Sequence, residues 1–238
     1  MAISITNIAS AGDTTDGTVY TIAGETLEAG RLYLLSVCAA EVDTASTPTI
    51  ASNLGTWALR ESVDFQSIAS PDQRLCIFTG TVSGQDTSDI TITYGSTKTA
   101  CRWSLEEVTG HNTASPIVQD GENRADTGTS FSVTLAAFAD AVNNAMYCVV
   151  SHSSVDAINK EAAHTQLSDG ATAPASGQIH MKAVWFLGED TSIDFTTASN
   201  RIWGGVALEI AVAPAAGGPS NANKVQRSSK HTSRLAVV

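Results

Sequence analysis

The 238-residue chain contains no GxSxG elbow, no P-loop, no GxGxxG and no HExxH, so the commonest local signatures of acyl transfer, nucleotide binding and zinc hydrolysis are missing. Charged residues are only 16% and aromatics 6% of the chain. No run approaches the roughly 18 apolar residues of a membrane-spanning helix. The four cysteines, Cys38, Cys76, Cys101 and Cys148, form no CxxC and have no histidine at zinc-finger spacing. They lie inside apolar runs and read as buried, reduced thiols. Long runs rich in Glu, Lys and Leu are also missing, which disfavours a helical protein.

What remains is a Thr-, Ser-, Ala- and Gly-rich chain with 42% hydrophobic residues, the texture of strands and turns around a sizeable core. Its acidity is uneven. Residues 1–223 carry 9 basic against 24 acidic side chains, and Lys224, Arg227, Lys230 and Arg234 follow. An acidic body repels nucleic acid and anionic membrane, so neither is expected as a direct partner. The first residues, MAISITNIASAG, lack the basic and apolar regions of a secretion signal, and folding in a reducing cytoplasm is the expectation.

Two stretches align without a gap at an offset of 103: SDITITYGSTKTACRWSLEEV at 88–108 and TSIDFTTASNRIWGGVALEIA at 191–211. The alignment sets Ile90 against Ile193, Leu105 against Leu208 and Glu106 against Glu209. Each copy reads as a hairpin. Signals before them repeat in order as well: LYLLSVCAAEVD at 32–43 resembles AMYCVVSHSSVD at 145–156, and RLCIFTG at 74–80 resembles HMKAVWFLG at 180–188. The expected fold is an all-β, antiparallel, jelly-roll-like sandwich with a body over 1–212. Its repeated halves span about 17–110 and 128–212, joined by a polar linker at 111–127. RLYLLSVCAA reads as a strand covered on both faces. Short helices are allowed only within 135–146 and 155–167.

Candidate chemistry is sparse. The five histidines are scattered in sequence, and no cofactor, metal site or catalytic residue is expected. The spacing of Asp120, Glu122 and Asp126 fits a calcium loop poorly. Glu106 and Glu209, placed alike by the repeat, and Trp203, at outward parity, are the candidate exposed contacts for an interface or a glycan. Glu106 and Glu107 point to opposite faces of one strand and cannot flank a single bond. Residues 213–238 carry too little apolar surface to fold alone. They read as an extended basic arm whose anchor to a neighbour is Lys224, Arg227, Lys230, Arg234, Leu235, Val237 and Val238.

The series GRLYLLSVCAA, GTWALRESVDF, RLCIFTGTV, DITITYG and RWSLEEVTG, followed by a weaker second round, resembles β-sandwich modules in virion proteins of tailed bacteriophages. These include capsid decoration, head-fibre and tail-fibre components. The resemblance implies a non-enzymatic structural role in the virion, assembled in the host cytoplasm. It also implies partnership with other virion proteins and with copies of itself. A carbohydrate- or receptor-binding module that takes a host glycan is the alternative, and a glycan-processing enzyme the third reading.

Overall fold

A computed structural model describes residues 1–41, 46–65, 72–174 and 177–214. The first half of the chain supplies β1 (Ser4–Asp13), β2 (Gly17–Ile22), β3 (Thr26–Leu27), β4 (Leu32–Glu41) and β5 (Thr49–Ala51). It continues with β6 (Gly55–Phe65), β7 (Asp72–Val82), β8 (Asp86–Thr87), β9 (Ile90–Lys98) and β10 (Ala100–Thr109). The second half supplies β11 (Ile117–Thr134), β12 (Ala145–His152), β13 (Asn159–Lys160), β14 (Thr165–Thr172), β15 (Ile179–Leu187) and β16 (Ser192–Ile210). All pairings are antiparallel. Among the described residues there is no helix; the segment 135–146 is a turn leading into β12, and 155–167 holds β13 and a second turn.

Two five-stranded paths form the centre of the molecule. Their orders are β1-β10-β4-β7-β6 and β11-β16-β12-β15-β14, the same sequence of connections met twice. Each is covered on its outer face. The three-stranded sheet β2-β9-β5 covers the first, while the second is covered by the far part of β11, the near part of β16 and β13. The two central sheets face each other with their orders reversed, so that β1 lies near β14, β10 near β15, β7 near β16 and β6 near β11. Four layers therefore enclose three cores: one between the central sheets, and one under each outer cover.

This layering explains β4. All ten of its residues are buried, the even positions Leu32, Leu34, Cys38 and Ala40 against the opposite half and the odd positions Tyr33, Leu35, Val37 and Ala39 against the three-stranded cover. Burying a leucine-sized side chain is worth about 1.5–3 kcal/mol. A strand that does so on both faces anchors its half. β12 occupies the matching place and is likewise buried throughout. The four cysteines are buried with free thiols.

The two aligned stretches are not hairpins. β9 pairs with β2 and β5, whereas β10 pairs with β1 and β4; the chain turns a corner at Thr99 and passes from the cover into the central sheet. β16 makes the same passage as one unbroken strand. Across the corner the register slips. In the covers, Ile22 faces Ile90 as Val133 faces Ile193, which keeps the offset of 103. In the central sheets, Val108 lies opposite Leu32 and Ile5, as Ile210 lies opposite Ala145 and Ile117, an offset of 102. One residue fewer at the corner sends every following side chain to the other face. Leu105 accordingly packs under the cover and Leu208 between the halves, and the residue that Leu208 matches is Glu106.

The polar stretch expected to be a linker is strand from Ile117 onward. β11 is an edge strand, so one side of it meets solvent, and its polarity reflects that exposure. Its Asp120 pairs with Arg60 of β6. The connection between the halves is therefore the shorter segment 110–116, and β1, outside the expected first half, belongs to the first central sheet. Close packing at the second corner requires glycine: a Cβ on Gly204 would lie 2.3 Å from the Phe65 ring of the opposite half. No helix among the described residues is long and apolar enough to cross a membrane. The arm from residue 215 onward, with all seven of its candidate anchors, lies outside the described residues.

Candidate functional site

The residues singled out from the sequence as exposed are all interior. Glu106, Trp203 and Glu209 are each 0% exposed. The reason is common to the three: simple alternation marks exposure only in a sheet with one wet face, and both central sheets are covered on both faces.

Glu106 points from β10 into the seam between the halves. Its Oε2 accepts a hydrogen bond from Tyr147 of β12 at 2.7 Å, and Oε1 accepts one from Asn7 Nδ2 at 3.1 Å and a short one from Ser104. The network continues to Ser36 (2.9 Å from the Tyr147 hydroxyl) and to Ser168 of β14 (2.7 Å from the Ser104 hydroxyl). Burial pushes the Glu106 carboxyl up to about 7, and the three donors pull against that rise. Among the described residues, no cation is among the groups that shift it. The carboxyl group is thus a polar pin between sheets, with its oxygens fully occupied.

Four positions before Glu106 on β10, Arg102 enters the same seam between Gly12 of β1 and Gly170 of β14. A Cβ on Gly170 would lie 1.8 Å from Nη2 of Arg102, and one on Gly12 would lie 3.1 Å from Nη1, so the slot for the guanidinium exists because both walls lack side chains. Burial lowers the Arg102 pKa against the favourable field of Asp169. Asp169 itself bonds His180 Nε2 at 2.6 Å and Lys182 Nζ at 2.9 Å. Burial would raise its pKa, but these two partners outweigh burial and hold it below the ordinary carboxylate value. His152, opposite His180 across the ladder, is driven down to about 4 by burial and by His180. Its ring lies edge-on to Trp203 at 5.0 Å.

Trp203 stacks on Phe131 with ring centroids 5.6 Å apart and donates its indole N–H to Gly128 O at 3.0 Å. It is a core residue of the second sandwich. Trp103 is buried, while Trp57 and Trp185 are half-buried. Glu209 lies on the opposite side of its sheet from the seam. Its oxygens accept from Ala139 N–H at 2.9 Å, Asn144 Nδ2 at 2.6 Å and Gln119 Nε2 at 2.6 Å, which ties the 139–144 turn to the sheet. Glu106 and Glu209 therefore occupy different cores and share no cleft. Asp120, the first of the three acids weighed for calcium, is engaged by Arg60.

Sequence reasoning missed the chain from Arg102 through Asp169 to His180, Lys182 and His152. Its members come from β10, β12, β14 and β15, and no local spacing connects them. It also missed the buried pair Lys98–Glu41, 2.5 Å apart at the end of the first sandwich, where Ser96 and the Tyr94 ring complete the surroundings of the ammonium. No protein-family model, no curated protein and no solved structure matches the chain.

Proposed function

We propose that this protein is a structural β module of a virus particle of the tailed-phage kind, held in its assembly through the C-terminal arm. The observation that carries this reading is where the polar chemistry sits. Glu106, Arg102 and Ser104 hold one half to the other, and Glu209 holds a turn to its own sheet, so the two carboxylates that the internal repeat had paired are committed to packing. A glycan platform on Trp203 has no accessible ring face, and a glycosidase built on Glu106 and Glu209 has no shared cleft to place a substrate in.

The body ends where an arm can leave it. β16 stops at Ile210, Val212 bridges back to His111, and the chain departs at Val212–Pro214 beside Met1, Ala2, Asp140 and Asn143. Beyond that point come the four basic residues and the apolar terminus, opposite in charge to the body. Copies of this chain and other particle proteins with acidic grooves are the partners this chemistry suits.

The test is deletion of residues 214–238. The truncated protein should keep the thermal midpoint of the full chain and fail to co-sediment with particles assembled from the remaining structural proteins. Incorporation at the level of the full chain would refute the role of the arm.

A further inference from the structure

Away from the seam, two turns of the second half meet at a cluster of different composition. Glu161 and His164 open and close a turn in which His164 N–H donates to Glu161 O at 3.3 Å, and that spacing brings the first and fourth residues within about 7 Å. Antiparallel pairing of β14 with β15 then brings the β15–β16 turn, with Asp190, alongside. His164 Nε2 lies 2.6 Å from Asp190 Oδ2, and one donor atom from each of Glu161, His164 and Asp190 lies within 4.8 Å of the others.

The arrangement is held from behind. The imidazole is 1% exposed at its side chain and tilted against Phe186, with ring centroids 6.0 Å apart. Backbone amides aim both carboxylates: Ser192 N–H donates to Asp190 Oδ1 and Asp194 N–H to Glu161 Oε1, each at 3.0 Å. Lys160, which ends β13 just before this turn, is tied to the carbonyls of Glu161 and His164. Nδ1 of His164 is buried without a partner. In the ion-free protein Nε2 donates to the Asp190 carboxylate, so an ion that takes this place displaces the Nε2 proton and binds the Nε2 lone pair.

We propose that Glu161, His164 and Asp190 form a binding site for a divalent transition-metal ion of the zinc type. One imidazole nitrogen and two carboxylate oxygens supply the donors, at bond lengths of about 2.0–2.2 Å, and the two negative charges match the ion. The set suits Zn²⁺, Co²⁺ or Mn²⁺ better than Ca²⁺, which seeks about six to eight oxygens. The backbone amides that hold the two carboxylates are the outer support such sites use. Ala162 and Ala163, both exposed, leave room on the solvent side for a water ligand. The ion replaces the hydrogen bond between His164 and Asp190 and ties the β13–β14 turn to the β15–β16 turn.

Calorimetric titration of the metal-stripped full-length protein with Zn²⁺, with Co²⁺ absorption as a second readout, tests this. One ion per chain should bind. Glu161→Gln, at a half-buried side chain, and Asp190→Asn should each weaken binding at least about tenfold, while His231→Ala in the arm leaves it unchanged. Absence of saturable binding overturns the proposal. So does binding that survives both carboxylate substitutions, or binding lost in His231→Ala.

Discussion

Glu106→Gln should change how stability depends on pH, and the direction follows from where the carboxyl sits. In the unfolded chain this group titrates near its ordinary 4.5, and in the fold near 7. The native state therefore binds a proton more tightly, so the contribution of Glu106 is fully present below the unfolded value and is lost as pH rises through the folded one. At about 1.4 kcal/mol per pH unit, the loss totals about 3 kcal/mol, of which about 2–3 kcal/mol falls between pH 5 and pH 8. His152 acts in the opposite sense. Its folded value of about 4 lies below the ordinary 6.5, so its contribution is present above pH 6.5 and lost as pH falls towards 4. The two slopes oppose each other between pH 4.5 and 6.5, and the wild-type curve is flattened there. Glutamine keeps the size of the side chain and carries no proton that titrates in this range. Urea unfolding of wild type and Glu106→Gln at pH 5 and pH 8 isolates the acid, because His152 is common to both proteins. The variant should gain about 2–3 kcal/mol relative to wild type over that interval. An equal difference between the two proteins at both pH values would refute the buried-carboxyl reasoning.

Two further substitutions probe the cores. Lys98→Met should cost about 3–5 kcal/mol at pH 7, because it strands the Glu41 carboxylate at a site where that residue is 5% exposed; chemical denaturation at pH 7 measures it, and a loss under 1 kcal/mol would contradict a buried ion pair. Trp203→Ala should cost about 3–5 kcal/mol by leaving a cavity against Phe131. The same experiment checks this, since an exposed platform residue would be nearly neutral to stability.

The strand content was legible because periodicity survives in single elements. The run at 31–40, apolar at both parities, marks β4 as covered on both faces, and the cysteines follow from the same runs. The residues Val206–Ile210 carry a similar signal, apolar at both parities except for Glu209, and reading it in the same way as β4 would have placed Trp203 inside. The slip at the corner was not legible. A gapless alignment cannot reveal that one copy reaches the next sheet with one residue fewer, and one residue suffices to exchange the faces of Leu105 and Leu208. The Glu161–His164 spacing stands in the sequence, but Asp190 joins it only through the β14–β15 pairing, and the Arg102–Asp169–His180 chain depends on tertiary packing throughout.

The reversed facing of the two central sheets has a consequence for how such an interface can be furnished. Two identical subunits meeting about a two-fold axis must present each residue twice, so a carboxyl in that contact would bring a second buried carboxyl with it. Here both partners are written into one chain, and the position matching Glu106 is Leu208. The chain buries this acid once, opposite a tyrosine that its counterpart strand β4 does not carry at the matching position, where Leu34 stands. Covalent connection also makes the contact independent of protein concentration. Dilution, which dissolves an ordinary dimer, leaves this one docked.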